Sequence, residues 1–204
     1  MSKYSKWILE NRAAAAAAVK GTGIFPELLL AQAIIESAKN GKMPGTQLAK
    51  QYNNYFGIKA FKSWKGDRVN FKTGEFTPAG SAYTMESDFR AYKTPLDSFK
   101  DYVKLLHNKR YKKVLAAKTI ADQARELKAA GYSTAPDYAS KVSGMANVIL
   151  KTLGKVPEAA AAAAAAAGTV IKQNKAASAG VLLTVAATAL YLMTSKTKSN
   201  GSRK

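Results

Sequence analysis

One glutamate in this chain stands where a carboxyl group could act as an acid. Glu36 comes at the end of Phe25–Ser37, a segment that is apolar on nearly every face from Leu28 to Ile35. The pattern predicts a buried helix that begins near Pro26 and stops at Gly41. A carboxyl group at the end of such a helix is partly desolvated, which raises its pKa and keeps it protonated near neutrality, as a general acid requires. The ordinary alternative is a solvated glutamate on a last helical turn.

A second polar cluster follows a loop and a short helical turn that carries Leu48, Ala49 and Tyr52. It reads Asn53-Asn54-Tyr55-Phe56-Gly57-Ile58-Lys59. Asparagine side chains hydrogen-bond to nearby backbone and tolerate tight turns, and glycine lets another chain approach closely. By itself the cluster also fits an asparagine-rich turn anchored by its apolar residues.

Taken together, the two clusters resemble a known family. Ala31–Ser37, Leu48-Ala49 and Asn53–Lys59 closely resemble the N-acetylglucosaminidases of glycoside hydrolase family 73, peptidoglycan hydrolases that include bacterial autolysins and flagellar rod-associated enzymes. The resemblance continues to about Leu150, and it implies a lysozyme-like fold with the glutamate of the first cluster as general acid. One segment departs from the family, which usually follows Glu-Ser with a Gly-Trp-Gly type turn, whereas this chain has Ala38–Gly45.

The resemblance also implies a groove that binds the sugar chain. The second cluster would form its floor through five residues: Asn53, Asn54, Tyr55, Phe56 and Gly57. The segment Gly131–Ala139 is similar to the family's Tyr-x-Thr-Asp-Pro-x-Tyr-Ala, although Ala135-Pro136 replaces Asp-Pro, and it supplies Tyr132 and Tyr138 as tyrosines that line the groove. Two tyrosines packed in the core would look the same in the sequence.

A glycosidase of this kind often uses a second carboxylate. Glu75 lies where the family commonly carries one, and Asp67, Glu86 and Asp88 are weaker candidates. Glu75 could activate water in an inverting reaction, or it could orient the substrate's own N-acetyl group as the nucleophile. A glutamate in a strand is also commonly just solvent-facing, and the residue types leave these roles open.

The remaining elements are predicted from periodicity and caps. Residues 3–20 form a first helix, and alternating apolar residues on either side of 77–80 predict a small antiparallel hairpin. Three further helices are predicted from Thr94, from Thr119 to Gly131, and from Pro136 to Gly154. The predicted fold class is α+β, mostly α: a lysozyme-like catalytic domain with a small β-hairpin lobe, plus a C-terminal hydrophobic helix.

The charge balance indicates an anionic partner. The chain carries 32 basic and 13 acidic residues, a net charge of +19, which suits nucleic acid, phospholipid headgroups or the carboxylates and phosphates of a cell wall. No nucleic-acid motif and no cluster of basic residues on one helix is present, so no specific nucleic acid is expected and the wall is favoured. With no cysteine and only His107 as histidine, no metal or cofactor is expected either.

The sequence changes character after the enzyme-like part. We assign residues 1–153 to the catalytic domain, 154–175 to an alanine-rich linker or helix, 176–193 to a transmembrane anchor and 194–204 to a basic tail. Residues 176–193 carry no charge over a length at the short end for a membrane span, with lysines on both sides. A buried or amphipathic helix is the alternative.

The expected location is a membrane, either of a bacterial envelope or of a virion. The N-terminal apolar run is interrupted by Glu10, Asn11 and Arg12, so no cleavable signal peptide is predicted. A wall hydrolase with that profile would suit a bacteriophage with an internal membrane, and it should then co-purify with particles.

The function that these observations favour is hydrolysis of peptidoglycan glycan strands at β-1,4 bonds next to N-acetylglucosamine. A lytic transglycosylase would share the fold and the single glutamate but release anhydro-sugar ends. A wall-binding protein that has lost activity is a second alternative, although the retained Glu36 and both asparagines argue against it. A membrane-associated nucleic-acid binder is a third, and it rests on charge alone.

Overall fold

The computed structural model describes residues 2–76 and 82–154, with side chains described outside 73–83. The described elements are seven α-helices, one 3₁₀ turn and one two-stranded sheet, in this order: α1 Ser5–Val19, α2 Pro26–Ser37, α3 Gln47–Tyr52, β1 Arg68–Phe76, β2 Ala82–Arg90, α4 Pro95–Leu106, 3₁₀ Lys109–Tyr111, α5 Lys112–Ala116, α6 Ile120–Ala129 and α7 Tyr138–Thr152. The predicted fold class, mostly α with a small β-hairpin, is confirmed for this part of the chain.

The predicted C-terminal helix lies outside the described residues. The anchor at 176–193 and the tail at 194–204 lie outside the described residues, as does the predicted turn at 77–80. Across residues 2–76 and 82–154, every helix is too short or too polar to cross a bilayer.

Helix α2 lies at the centre of the fold. It packs most extensively against α7 and also against α1 and α6. Leu28, Leu29, Leu30 and Ile34 are almost completely buried, as the apolar sequence predicts. Burial on nearly every face fixes this helix in the core, so the residues on its last turn have a defined position.

The predicted helical segment Phe25–Ser37 ends where α2 ends, but Gly41, expected as the stop signal, is not its cap. The helix ends at Ser37, and Ala38 is already extended with φ −73° and ψ 137°. The Ser37 carbonyl instead accepts the backbone N–H groups of Gly45 and Thr46, each at 2.9 Å, so the chain folds back onto the helix end. Gly41 takes a left-handed φ of 73° inside the intervening turn.

Gly45 occupies the tightest place in this turn. A Cβ atom built on it would lie 2.0 Å from the Lys39 nitrogen, so a larger residue could not fit without moving the backbone. The turn is therefore clamped at the last residue of α2.

The hairpin is tied to the helices at its base. The Arg90 backbone N–H donates to the Ile58 carbonyl at 3.0 Å. The Arg90 guanidinium lies over the Trp64 ring, 4.4 Å from its centroid, and pairs with Asp101 of α4 at 2.6 Å. Tyr92 donates to the same Asp101 carboxylate at 2.7 Å. Strand β2 is thus fixed to α4 through a half-buried ion pair with two additional partners.

The later helices begin and end close to where their caps predict. Thr94 and Asp97 form a capping box at the start of α4, and Thr119 caps α6. Helix α7 begins at Tyr138, two residues after the predicted Pro136. The 3₁₀ turn and α5 were not predicted, since five helical residues are too few to show a periodic pattern.

Candidate active site

Glu36 lies on the last turn of α2 and is exposed at the surface. Even so, protein atoms crowd its carboxyl group on the inner side, and this desolvation raises the pKa of Glu36 above its ordinary value. A hydrogen bond from Tyr138 lowers the pKa, but by less than burial raises it. One open side and one crowded side suit a carboxyl group that must hold a proton and also reach a substrate.

Tyr138 brings α7 to the acid. Its hydroxyl donates to Glu36 Oε1 at 3.2 Å and accepts from Gln32 Nε2 at 3.0 Å. The Tyr138 ring lies 5.5 Å from the ring of Tyr132. Burial is the largest cause that raises the pKa of both tyrosines, so both are neutral in the range where a carboxyl group titrates. The structure therefore brings Glu36, Tyr132 and Tyr138 together, across about one hundred positions of sequence.

The two asparagines of the second cluster are engaged with the protein itself. Asn54 is buried; its amide nitrogen donates to the Ile58 and Arg90 carbonyls at 3.0 and 2.8 Å, and its oxygen accepts the Ile58 N–H at 3.0 Å. Asn53 has a left-handed φ of 52° and donates to the Tyr92 carbonyl at 3.0 Å. These bonds hold the loop between α3 and the hairpin base.

Tyr55 and Phe56 lie below the surface. Tyr55 contacts the edge of Trp7 with ring centroids 5.4 Å apart, and Phe56 stacks on Tyr102 at 3.9 Å. Gly57 is exposed, and its φ of 61° favours glycine although a Cβ would meet nothing within 4 Å. That these five loop residues contact sugar stays a prediction.

An aromatic stack links the loop to the acid. Tyr102, on which Phe56 stacks, lies 6.0 Å from Tyr132, and Tyr132 in turn contacts Tyr138. The loop and Glu36 are therefore joined by a continuous series of packed rings.

Glu75 lies in β1 opposite Tyr83, and its side chain is outside the described set. Of the weaker candidates, Asp88 accepts from Asn70 at 3.0 Å and lies 3.9 Å from Arg68. Glu86 is exposed opposite Lys72 in the hairpin. The role of a second carboxylate stays a prediction.

Two concavities lie apart from Glu36. One, of about 720 Å³, is lined by residues that include Trp64, Arg90, Asp101 and His107. Another, of about 530 Å³, borders the hairpin. Glu36 does not line either of these two concavities.

Sequence reasoning missed two residues at this site. Tyr102 completes the apolar stripe of α4 with Phe99 and Leu106, and helical spacing could have found it. Gln32 was passed over as the one polar residue in an apolar helix. Its position four residues before Glu36, on the same helix face, was the signal that could have found it.

Comparison with known proteins decides the family. Residues 12–150 match the family model for glucosaminidases, described as mannosyl-glycoprotein endo-beta-N-acetylglucosaminidase. The chain belongs to the glucosaminidase family. The resemblance drawn from Glu36 and the asparagine cluster is therefore confirmed.

Several curated relatives of this glucosaminidase are similar over the same region. The peptidoglycan hydrolase FlgJ of Vibrio parahaemolyticus is 40% identical over 130 residues, which cover 61% of this chain and 41% of the relative. The exo-glucosaminidase LytG of Bacillus subtilis is 35% identical over 128 residues, which cover 60% and 43%. The chain thus spans about two fifths of the length of these relatives.

Solved structures support the fold. The catalytic domain of the autolysin Auto from Listeria monocytogenes has a TM-score of 0.65 at 27% identity, covering 75% of this chain and 88% of that one. The glycoside hydrolase domain of Salmonella typhimurium FlgJ has a TM-score of 0.60 at 32% identity, covering 78% and 96%. The mostly helical fold with a small two-stranded sheet matches that of this glycosidase family.

Proposed function

We propose that this glucosaminidase hydrolyses peptidoglycan glycan strands at β-1,4 bonds next to N-acetylglucosamine, with Glu36 as the general acid. The observation that carries the proposal is the state of Glu36: an exposed carboxyl group at the end of a buried helix, with its pKa raised by burial and one oxygen bonded by Tyr138. The peptidoglycan activity named for the FlgJ relatives supports the choice of polymer.

Glu36 would give its proton to the leaving glycosidic oxygen while positive charge develops at the anomeric carbon. Because burial raises the pKa of Glu36, more of these carboxyl groups keep the proton at a given pH than an ordinary glutamate would. The bond to Tyr138 restricts the rotation of the carboxyl group. The exposure of Glu36 leaves its carboxyl group within reach of a substrate.

Help from the opposite face of the sugar would come from Glu75 or from the substrate. If Glu75 activates water, the two carboxyl groups should lie roughly 6.5–9.5 Å apart. If the substrate's N-acetyl group attacks, Glu75 would orient it. Glu75→Gln should be about as damaging as Glu36→Gln in the first case and less damaging in the second.

The decisive experiment is zymography on purified peptidoglycan with wild type, Glu36→Gln and Glu10→Gln. Glu36→Gln removes only the transferable proton, so activity should fall by roughly 10²-fold or more. Glu10 is an exposed glutamate on α1, 4.0 Å from Lys6, and its replacement should leave lysis unchanged. If Glu36→Gln kept a tenth of wild-type activity, the acid would be wrongly assigned.

Product analysis distinguishes the related enzyme class. Mass spectrometry of the released fragments should show reducing N-acetylglucosamine ends that have gained water. Anhydro-sugar ends would instead identify a lytic transglycosylase, and binding to sacculi without any release would identify an inactive wall-binding protein.

A membrane anchor at 176–193 is the finer part of the proposal. It is supported by 18 uncharged residues with lysines on both sides, all of whose backbone groups a helix can satisfy. The full chain should float with lipid vesicles and resist carbonate washing, whereas a chain ending at Gly154 should stay in solution and remain lytic. A full chain that stays in the supernatant would exclude the anchor. Association with virions stays a prediction.

A further inference from the structure

Gln32 is a polar residue in the most apolar helix of the protein. It is completely buried on α2, four residues before Glu36 and on the same helix face. Its Nε2 donates to the Tyr138 hydroxyl at 3.0 Å, while its Oε1 has no hydrogen-bond partner in the described part of the chain. An orphaned buried oxygen is unfavourable, and an apolar residue of similar length would avoid it. The glutamine therefore has a use other than stability.

The bond from Gln32 sets the direction of the next one. An amide nitrogen can only donate, and a phenol has one hydrogen. Since the Tyr138 oxygen accepts from Gln32, its own hydrogen is free to point to Glu36 Oε1, 3.2 Å away. The donor order runs from Gln32 to Tyr138 to Glu36.

This order determines which oxygen of Glu36 can carry a proton. Oε1 accepts from Tyr138, so a proton placed on Oε1 would meet the tyrosine's hydrogen. The proton taken up by Glu36 is therefore held on Oε2. Without the donor at position 32, the Tyr138 hydroxyl could turn and accept a proton from Oε1, a form in which the acid's proton is directed into the protein.

We propose that Gln32 is a positioning residue for acid catalysis: acting through Tyr138, it keeps Glu36 Oε1 an acceptor and so holds the transferable proton on Oε2. The inference rests on the proposed role of Glu36 as general acid. Tyr102, Tyr132 and Tyr138 are the described titratable groups next to this acid, and burial raises the pKa of all three, so they remain neutral while Glu36 titrates.

The test is a double-mutant cycle with Gln32→Met and Tyr138→Phe, measured as kcat and KM on solubilised peptidoglycan across pH. Gln32→Met should lower kcat about tenfold with little change in KM, because the lost interaction orients a proton and does not bind substrate. The double variant should be no slower than Tyr138→Phe, because Gln32 acts only through that hydroxyl. Losses that multiply, or a loss confined to KM, would overturn the proposal.

The pH profile gives a second readout, in which two variants should move the alkaline limb of kcat in the same direction by different amounts. In Gln32→Met the neutral acid gains a new bond to Tyr138 and the carboxylate loses a fixed donor, so the alkaline limb of kcat should move to higher pH. In Gln32→Glu the ionised carboxyl group takes the Tyr138 hydrogen and adds a like charge near Glu36, so the alkaline limb should move to higher pH by more than in Gln32→Met. Limbs that do not move in either variant would contradict the donor order.

Gln123→Met is the matched control. Gln123 is also completely buried, and its side chain donates to the Gly23 carbonyl at 2.6 Å and accepts the Phe25 N–H at 3.2 Å, away from Glu36. Its replacement should lower the Tm yet leave kcat of the folded protein and the pH limb unchanged. The same pattern in Gln32→Met would assign Gln32 a structural role only.

A measurement on the unmodified protein covers the case in which variants at position 32 do not fold. The Gln32 side-chain amide signals in the NMR spectrum should follow the titration of Glu36 in wild type and stop doing so in Tyr138→Phe. Gln32 amide signals that do not change as Glu36 titrates would overturn the proposal. Lysis that survives Glu36→Gln would instead remove the proposed general acid itself, so the two failures can be told apart.

Discussion

The loop at Asn53–Ile58 and the corner formed by Glu36 and Tyr138 differ in how their polar atoms are used. In the loop, every polar side-chain atom of Asn54 is bonded to backbone, and the residue is buried. At the corner, the carboxyl group of Glu36 is open on one side and has one bond from the protein, from a tyrosine far along the chain.

The difference indicates that the loop mainly supports the fold, whereas the corner supplies the group proposed to react. The asparagine loop can be recognised in the sequence because its left-handed backbone at Asn53 and Gly57 favours asparagine and glycine. The acid is a single glutamate whose properties come from its surroundings. A variant in the loop should therefore change mainly stability, and a variant at the corner should change mainly activity, which the following predictions test in order of expected effect on stability.

Phe56→Ala should be the most destabilising of the three changes. Phe56 stacks on Tyr102 in the core, so its truncation leaves a cavity and should lower the free energy of unfolding by roughly 3–5 kcal/mol. Urea unfolding followed by circular dichroism measures this. Phe61→Ala is the control, since Phe61 is 67% exposed and should be nearly neutral. Equal effects at both positions would contradict a supporting role for the loop.

Asn54→Ala should cost roughly 2–4 kcal/mol, because it removes three hydrogen bonds and leaves the buried Ile58 N–H without the acceptor that Asn54 supplies. Activity should fall in step with the folded fraction on heating. Asn70→Ala removes a single exposed bond to Asp88 and should have a much smaller effect. A large loss of kcat in fully folded Asn54→Ala would place this side chain in the chemistry and abolish the contrast with the corner.

Glu36→Gln should have the smallest effect on stability, and its sign should depend on pH. The folded pKa of Glu36 is raised above its ordinary 4.5, so ionising Glu36 destabilises the folded protein once the pH rises through the folded pKa. Below the ordinary pKa the group is protonated in both states and contributes nothing. The variant should therefore melt at the same or a slightly higher temperature at neutral pH, with the difference vanishing below about pH 4. A lower Tm at neutral pH would show that the ionised carboxyl group is stabilising.

The contrast between loop and corner also explains what the sequence could predict. Helix α2, the hairpin and the Thr94 cap follow from local patterns, because apolar periodicity and capping chemistry act over a few residues. The link from Gln32 to Tyr138 spans 106 positions, and only packing brings the two together. The backbone bonds from Gly45 and Thr46 that hold the end of α2 were missed for the same reason, although the helical segment itself was predicted to end at Ser37.

The inward positions of Asn54 and Tyr55 were also beyond the sequence, whereas Phe56 was anticipated as an apolar anchor of the turn. Their residue types suit a sugar-binding surface as well as a core, and only the burial seen in the structure distinguishes these two possibilities. The half-buried pair of Arg90 and Asp101, which fixes the hairpin to α4, likewise joins residues that no local pattern relates.

The clamp at the end of α2 has a consequence for how this enzyme can diverge. Both ends of the turn at 38–45 are fastened on one residue: Ser37 is continuous with the helix, and its carbonyl receives Gly45. A turn held in this way can differ in sequence without moving Glu36, provided that position 45 stays glycine. The turn Ala38–Gly45, which differs from the Gly-Trp-Gly type of the family, is held in this way just beyond Glu36.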